Sequence, residues 1–239
     1  MIILYNILIF IGMILFFPLI IPMILLSGKR RKTVLRRLGV AKPDIQAPAS
    51  DIRIWVHALS LGEVLSAIPL MERLRARPGS QTILFSASTQ TGFEIANERL
   101  KKSVDALFFF PYDFIFSVKY MVKKADPDIV IIVETDIWPN FLFEMERRNI
   151  PVILVNARLS QKSFLGYKRF SFFTKSLFSK FSKICAQSDE DGRRFRILGA
   201  SSDSVSITGN VKFDQADHPV SDAEIEAMRN RLNIRADRK

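Results

Sequence analysis

The sequence predicts a doubly wound α/β domain carried behind an N-terminal membrane anchor. Three observations carry that expectation. No charged residue occurs between Met1 and Ser27, and from Ile52 onward short apolar runs alternate with amphipathic stretches. The third is composition: 48% hydrophobic against 25% charged over 239 residues supplies a core and excludes a disordered or fibrous chain. One cysteine, Cys185, and two histidines, His57 and His218, leave neither a disulfide framework nor a Cys/His zinc cluster.

Residues 1–27 form the expected anchor. As a helix the run would reach roughly 40 Å, against a hydrocarbon core of about 30 Å. Pro18 and Pro22 allow a bend between a spanning first part and a tilted, interfacial second part. A cleaved signal fits poorly, because no basic region precedes the run and no small-residue site ends it. The bases follow the run, so the positive-inside rule predicts a single pass with the domain on the cytoplasmic face. Residues 28–50 then form a basic juxtamembrane linker.

Residues 51–214 carry the α/β pattern. Strands are expected at Ile52–His57, Thr82–Ala87, Ala106–Phe110, Ile129–Glu134, Val152–Asn156, Ile184–Gln187 and Val205–Thr208. Helices are expected at Glu63–Arg75, Gly92–Lys101, Phe114–Lys124, Asn140–Arg148, Phe164–Phe181 and Asp189–Leu198. Runs such as IVIIV, with no polar alternation, belong to strands covered on both faces, and strand–helix alternation implies right-handed βαβ units. From Gln215 a polar linker with Pro219 precedes an amphipathic helix beginning at Ser221 with Glu224 at its third position, a capping-box pattern. No strand follows before Lys239, so residues 215–239 are expected to be a linker and the start of a further half.

The net charge of +11 is concentrated. Residues 1–40 hold six bases and no acid, as do residues 161–183, and the remainder of the chain sums to −1. The second patch interleaves its bases with Phe164, Tyr167, Phe170, Phe172, Phe173, Phe178 and Phe181. Such interleaving suits single-stranded nucleic acid. Beside a membrane anchor it suits an anionic interface better, with rings in the headgroup zone and lysines such as Lys175, Lys180 and Lys183 meeting anionic groups. An ordinary core helix with a solvated basic face remains the plain alternative.

No G-x-G occurs, so the dinucleotide fingerprint and the glycine-rich kinase loop are absent, and neither a P-loop nor G-x-S-x-G is present. Asp126-Pro127-Asp128 sits at the start of a strand and reads as a turn, Asp189-Glu190-Asp191 as a helix start, and Cys185 as core. The carboxyl ends of the strands, where such sheets bind ligands, are rich in polar groups. Gly62 permits an unusual turn and close ligand approach, and Glu63 heads a helix whose dipole favours an ionised carboxylate, which suits a base and equally a plain helix-start acid. Glu134 ends a buried strand, where a carboxylate is costly unless paired or functional. Arg158 and Lys212 suit phosphate or carboxylate ligands, with surface ion pairing an equal alternative.

The ordered set HALSLGEVLSAIPL, STQTG, PYD, ETDIWPN, NARLS and TGNVKFD resembles the 3-deoxy-D-manno-octulosonic acid (Kdo) transferases over nearly the whole chain to Asp214. The departures, SLGE for the commoner S-V-G-E and ETDIWPN for E-T-E-L-W-P-N, keep the chemical character. The resemblance implies the N-terminal, acceptor-binding half of a two-domain GT-B-type glycosyltransferase, each half Rossmann-like. It implies transfer of Kdo from CMP-Kdo to a lipid A precursor at the inner membrane, without a metal cofactor, and no nucleic acid partner. By motif, Glu63 corresponds to the base and Glu134 and Lys212 to transition-state stabilisers. Ser60, Gly62, Thr89, Thr91, Asn156 and Arg158 are the accompanying candidates for substrate binding. The rivals are a membrane-tethered module binding anionic lipid or nucleic acid, and another glycosyltransferase with a lipid-linked acceptor.

Overall fold

The computed structural model describes residues 1–40, 43, 45, 52–212 and 228, apart from the side chains of residues 20, 29 and 32. The helix expected from Ser221 lies outside these residues. Seven strands, β1 (Ile52–Ala58), β2 (Gln81–Ala87), β3 (Ala106–Phe109), β4 (Ile129–Val133), β5 (Val152–Ala157), β6 (Lys183–Ala186) and β7 (Val205–Ile207), match the expected ones to within one residue at each end. They pair in parallel in the order β3-β2-β1-β4-β5-β6-β7. The order reverses between β1 and β4, which opens a crevice at their carboxyl ends.

Alternation along each strand builds two cores. On one face Ile54, Val56, Ile83, Phe85, Ile131 and Val133 meet α3 (Leu61–Arg75) and α4 (Gln90–Arg99). On the other, Trp55, Leu84, Val130, Ile132 and Leu154 meet α5 (Ile115–Ala125), α6 (Pro139–Arg147), α8 (Ser171–Phe178) and α9 (Asp189–Ile197). Burial on both faces is why these strands read as unbroken apolar runs.

The single helix expected over Phe164–Phe181 is two, α7 (Gln161–Arg169) and α8, separated at Phe170. Thr174 answers the break by donating to the carbonyls of Tyr167 and Phe170. The aromatic face therefore divides: Phe178 and Phe181 are buried, while Phe170 and Phe172 stand exposed. Asp126 ends α5 in the left-handed region and Asp128 accepts the Arg53 N–H at 2.7 Å, so Asp126–Asp128 is a turn. Ser188 caps α9 ahead of the three acids. Cys185 is only half-buried, not core as expected.

The anchor sequence forms one continuous helix, α1 (Ile2–Leu25), through Pro18 and Pro22. Residues expected as linker form α2 (Gly28–Arg37), with the Ser27 hydroxyl accepting from Arg30 N–H. Arg37 fastens α2 to the sheet's carboxyl edge. Its guanidinium donates to the carbonyls of Phe110 (3.0 Å) and Ser88 (3.2 Å) and lies 4.1 Å from the Tyr112 ring.

α1 does not stand away from the domain. Near its start Tyr5 donates to Asp113 at 2.9 Å and stacks on Phe173, and Asn6 pairs with Asn140. Farther along, Met13 and Phe17 face Ser88–Thr91. By length and composition α1 is able to cross a membrane, as the sequence expects, and in the structure its Tyr5 and Asn6 pack against the domain. The Asp113 and Asn140 side chains, remote in sequence, supply the partners that hold it down.

Candidate active site at the sheet switch point

Glu63 and Glu134 occupy opposite lips of the crevice, the first after β1 and the second after β4. Ser60 begins α3, and Glu63 lies in its first turn. The Glu63 carboxylate accepts the Leu59 N–H on one oxygen and the Ser60 hydroxyl, at 3.1 Å, on the other. These donors and the helix start favour the ionised form, as expected from sequence. Burial outweighs them. Aided by the negative charges of Asp136 and Glu134, it pushes the Glu63 pKa up to about 7. A carboxylate tuned there is matched to proton acceptance near neutrality.

Gly62 is not in an unusual turn: it lies in the first helical turn without positive φ, and a Cβ there would meet nothing within 4 Å. It is exposed, leaving open space beside Glu63.

Glu134 has φ 61°, a left-handed conformation that is strained for a glutamate and is held by its N–H donating to Val155 O. Its carboxylate is 18% exposed and lies 4.0 Å from both Arg158 Nε and Lys212 Nζ. The structure thus gathers Glu134, Arg158 and Lys212 beside Glu63. Thr135 sets the arginine's backbone by exchanging hydrogen bonds with Arg158 N–H and C=O.

The remaining candidates act as supports. Asn156, buried and at φ 53°, accepts the Val211 N–H at 3.2 Å and so places the loop bearing Lys212. Thr89 caps α4 by accepting the Gly92 N–H, with Thr91 exposed beside it. Their turn adjoins the Glu63 turn, because Ser88 and Thr89 N–H both donate to Leu59 O.

The three lysines are not gathered on one surface. Lys183 opens β6, at the sheet end opposite the crevice, and donates to Asp203 O. Lys180 is only 6% exposed, pairs with Glu146 at 2.5 Å and lies 3.9 Å from the Phe143 ring. Lys175 alone is exposed, on α8.

Sequence reasoning passed over His57, Asp136 and Asp113. His57, wholly buried and stacked on Phe110, links Ser86 to Asp136, and Asp136 also accepts from the Trp138 indole at 2.7 Å. A histidine ending a buried strand was the available signal. Asp113, buried below Tyr5, has its pKa raised to about 6 by burial against the opposing Asn140 and Phe141 N–H donors. Among the described residues no group of three His, Cys, Asp or Glu side chains is arranged to hold a metal ion.

Residues 32–215 match the family model described as 3-deoxy-D-manno-octulosonic-acid transferase (kdotransferase). The chain belongs to the Kdo transferase family. It is 35% identical over 164 residues to 3-deoxy-D-manno-octulosonic acid transferase of Haemophilus influenzae, covering 67% of this chain and 38% of that one. The Rickettsia felis transferase is 33% identical over 198 residues, 82% of this chain and 42% of that one. This Kdo transferase chain therefore spans about two fifths of the length of these two relatives. In fold it is similar to the Staphylococcus aureus MnaA–UDP complex, with TM-score 0.53, 15% identity, and coverage of 74% and 51%. UDP-GlcNAc 2-epimerase of Neisseria meningitidis gives TM-score 0.51, 13% identity, and coverage of 78% and 55%. At such identities the likeness shows the GT-B-like α/β architecture alone.

Proposed function

We propose that this chain is the acceptor-binding half of an inverting transferase that moves Kdo from CMP-Kdo to a lipid A precursor. The observation that carries the proposal is the pairing of Glu63, tuned to about 7, with the Glu134–Arg158–Lys212 cluster across the switch point. Glu63 takes the proton from the acceptor hydroxyl as it attacks the donor's anomeric carbon. Glu134 faces the positive charge developing on the sugar. Lys212, with Arg158, faces the departing phosphate or the sugar's carboxylate, where fixed charges act without reorganisation. No metal is assigned a role in this reading, and CMP-Kdo would be held by a further half outside this chain.

The apolar outer surface of α1, including Leu4, Leu8, Ile11 and Leu15, would lie in the lipid interface, with the bases of α2 at headgroup level on the cytoplasmic side. A purely lipid-binding module would leave the raised carboxylate without a task. The test is transfer of labelled Kdo from CMP-Kdo to lipid A precursor, using this chain joined to a relative's carboxyl-terminal half, with binding to the 239-residue chain measured alongside. Acceptor binding by the chain and transfer only by the joined form are expected. Failure of the chain to bind the acceptor overturns the reading.

A further inference from the structure

A cavity of about 830 Å³ lies between the second half of α1, α2 and the Ser88–Thr91 turn. Met13, Phe17, Ile21, Val34, Leu38 and Phe114 line it, an apolar wall of the size and character of a ligand site. Its polar groups are at particular places. Arg30 is exposed among the lining residues, in a region of the chain, residues 1–40, that carries six bases and no acid. Ser88, only 4% exposed, has a hydroxyl that is buried with no hydrogen-bond partner. An unpaired buried hydroxyl is costly, so a bound carbonyl would satisfy it. Ser88 belongs to the turn held against Leu59 O, four residues before Glu63.

We propose that this cavity takes one acyl chain of the lipid acceptor, with Arg30 facing the lipid's phosphate and the Ser88 hydroxyl donating to the acyl carbonyl. The proposal rests on the acceptor reading above and specifies how the lipid is held. The chain enters between α1 and α2 directly from the interface in which α1 lies. Seating the acyl carbonyl at Ser88 brings the sugar beside the Glu63 turn, so the lipid's tail sets the register of its headgroup. An apolar slot, a cation and an unsatisfied hydroxyl together match an acylated phosphate and would be mismatched to a soluble sugar or peptide.

The test uses the 239-residue chain in zwitterionic nanodiscs with a lipid A precursor that carries a diazirine in one acyl chain. Labelling should concentrate on Phe17, Val34, Leu38 and Tyr112. Val34→Trp, which fills the cavity, should cut it at least ten-fold, and Ser88→Ala should weaken binding several-fold. Met13→Trp, entering from the opposite wall, repeats the block should Val34→Trp misfold. Labelling confined to the outward Leu4, Leu8, Ile11 and Leu15, unchanged by both blocks, overturns the proposal. Equal cavity labelling by a phosphatidylglycerol probe overturns it too, as a general lipid slot. The water-soluble deacylated headgroup separates the two readings. Its binding to wild type with labelling only on the outward face sinks the cavity alone, whereas absence of headgroup binding sinks the acceptor reading.

Discussion

Tyr5 donates a 2.9 Å hydrogen bond to Asp113 across 108 residues of sequence, and Asn6 and Asn140 exchange side-chain hydrogen bonds beside it. The same Asp113 carboxylate receives the Asn140 and Phe141 N–H groups, so one side chain holds the apolar helix α1 and caps α6.

Loosening that latch should free one end of α1. Three hydrogen bonds at about 1 kcal/mol each are lost in Tyr5→Phe with Asn6→Leu. Spin labels at Ile3 and Lys119 should then give a broad distance distribution in place of a narrow one. An unchanged distribution would show that apolar contact alone positions the helix. Asp113→Ala removes the cap as well and should lower stability by a further ~1–2 kcal/mol, read from denaturant midpoints.

Glu63→Gln keeps the shape of the side chain but accepts no proton. In an active transferase carrying this sequence, kcat should fall about 10²–10⁴-fold while acceptor affinity is retained. Wild-type rate should rise with pH up to about 7 and level off above it. The stability sign is opposite. A raised carboxylate pKa means the native state favours the protonated form, so stability is fully present below the ordinary value of 4.5 and is lost as pH rises through about 7. Glu63→Gln should therefore be stabilising at pH 8, by at most about 3 kcal/mol before allowance for solvent at the carboxylate, and neutral near pH 4. Melting scans at the two pH values check this.

Lys212→Ala should reduce kcat by roughly 10²–10³-fold, the scale of removing a fixed electrostatic partner from the reacting charge. Arg158→Ala removes the second cation beside Glu134, and the two losses should be less than additive in a double-mutant cycle because both act on one carboxylate. Strict additivity in kcat would deny the shared cluster.

Lys180→Gln should act on the fold, not on the acceptor. Loss of the Glu146 pair and of the Phe143 ring contact should cost about 1–2 kcal/mol, with acceptor KM unchanged. A raised KM at wild-type stability would return Lys180 to the acceptor surface.

Local pattern made much of this legible. The central strands were found because they are covered on both faces, and Glu63 and Glu134 because a carboxylate at the end of a buried strand or the head of a helix is conspicuous. What escaped depends on partners distant in sequence. The break at Phe170 follows from packing that divides the aromatics between core and surface. The roles of Lys180 and Asp136 are set by Glu146, Phe143, His57 and Trp138, which spacing along the chain does not reveal. The direction of the Glu63 shift turned on burial, which overcame the helix-start effect visible in sequence.

The way α1 is fastened makes this anchor non-modular. Its Tyr5 and Asn6 complete hydrogen bonds inside the α/β domain, and Met13 and Phe17 line a wall of the cavity beside it. A foreign transmembrane tether in its place would restore proximity to lipid while leaving Asp113 and Asn140 short of partners and the Ser88 turn uncovered. An apolar face long enough to cross a membrane and one wall of the cavity beside the candidate site are thus written into the same 24 residues and cannot be exchanged independently.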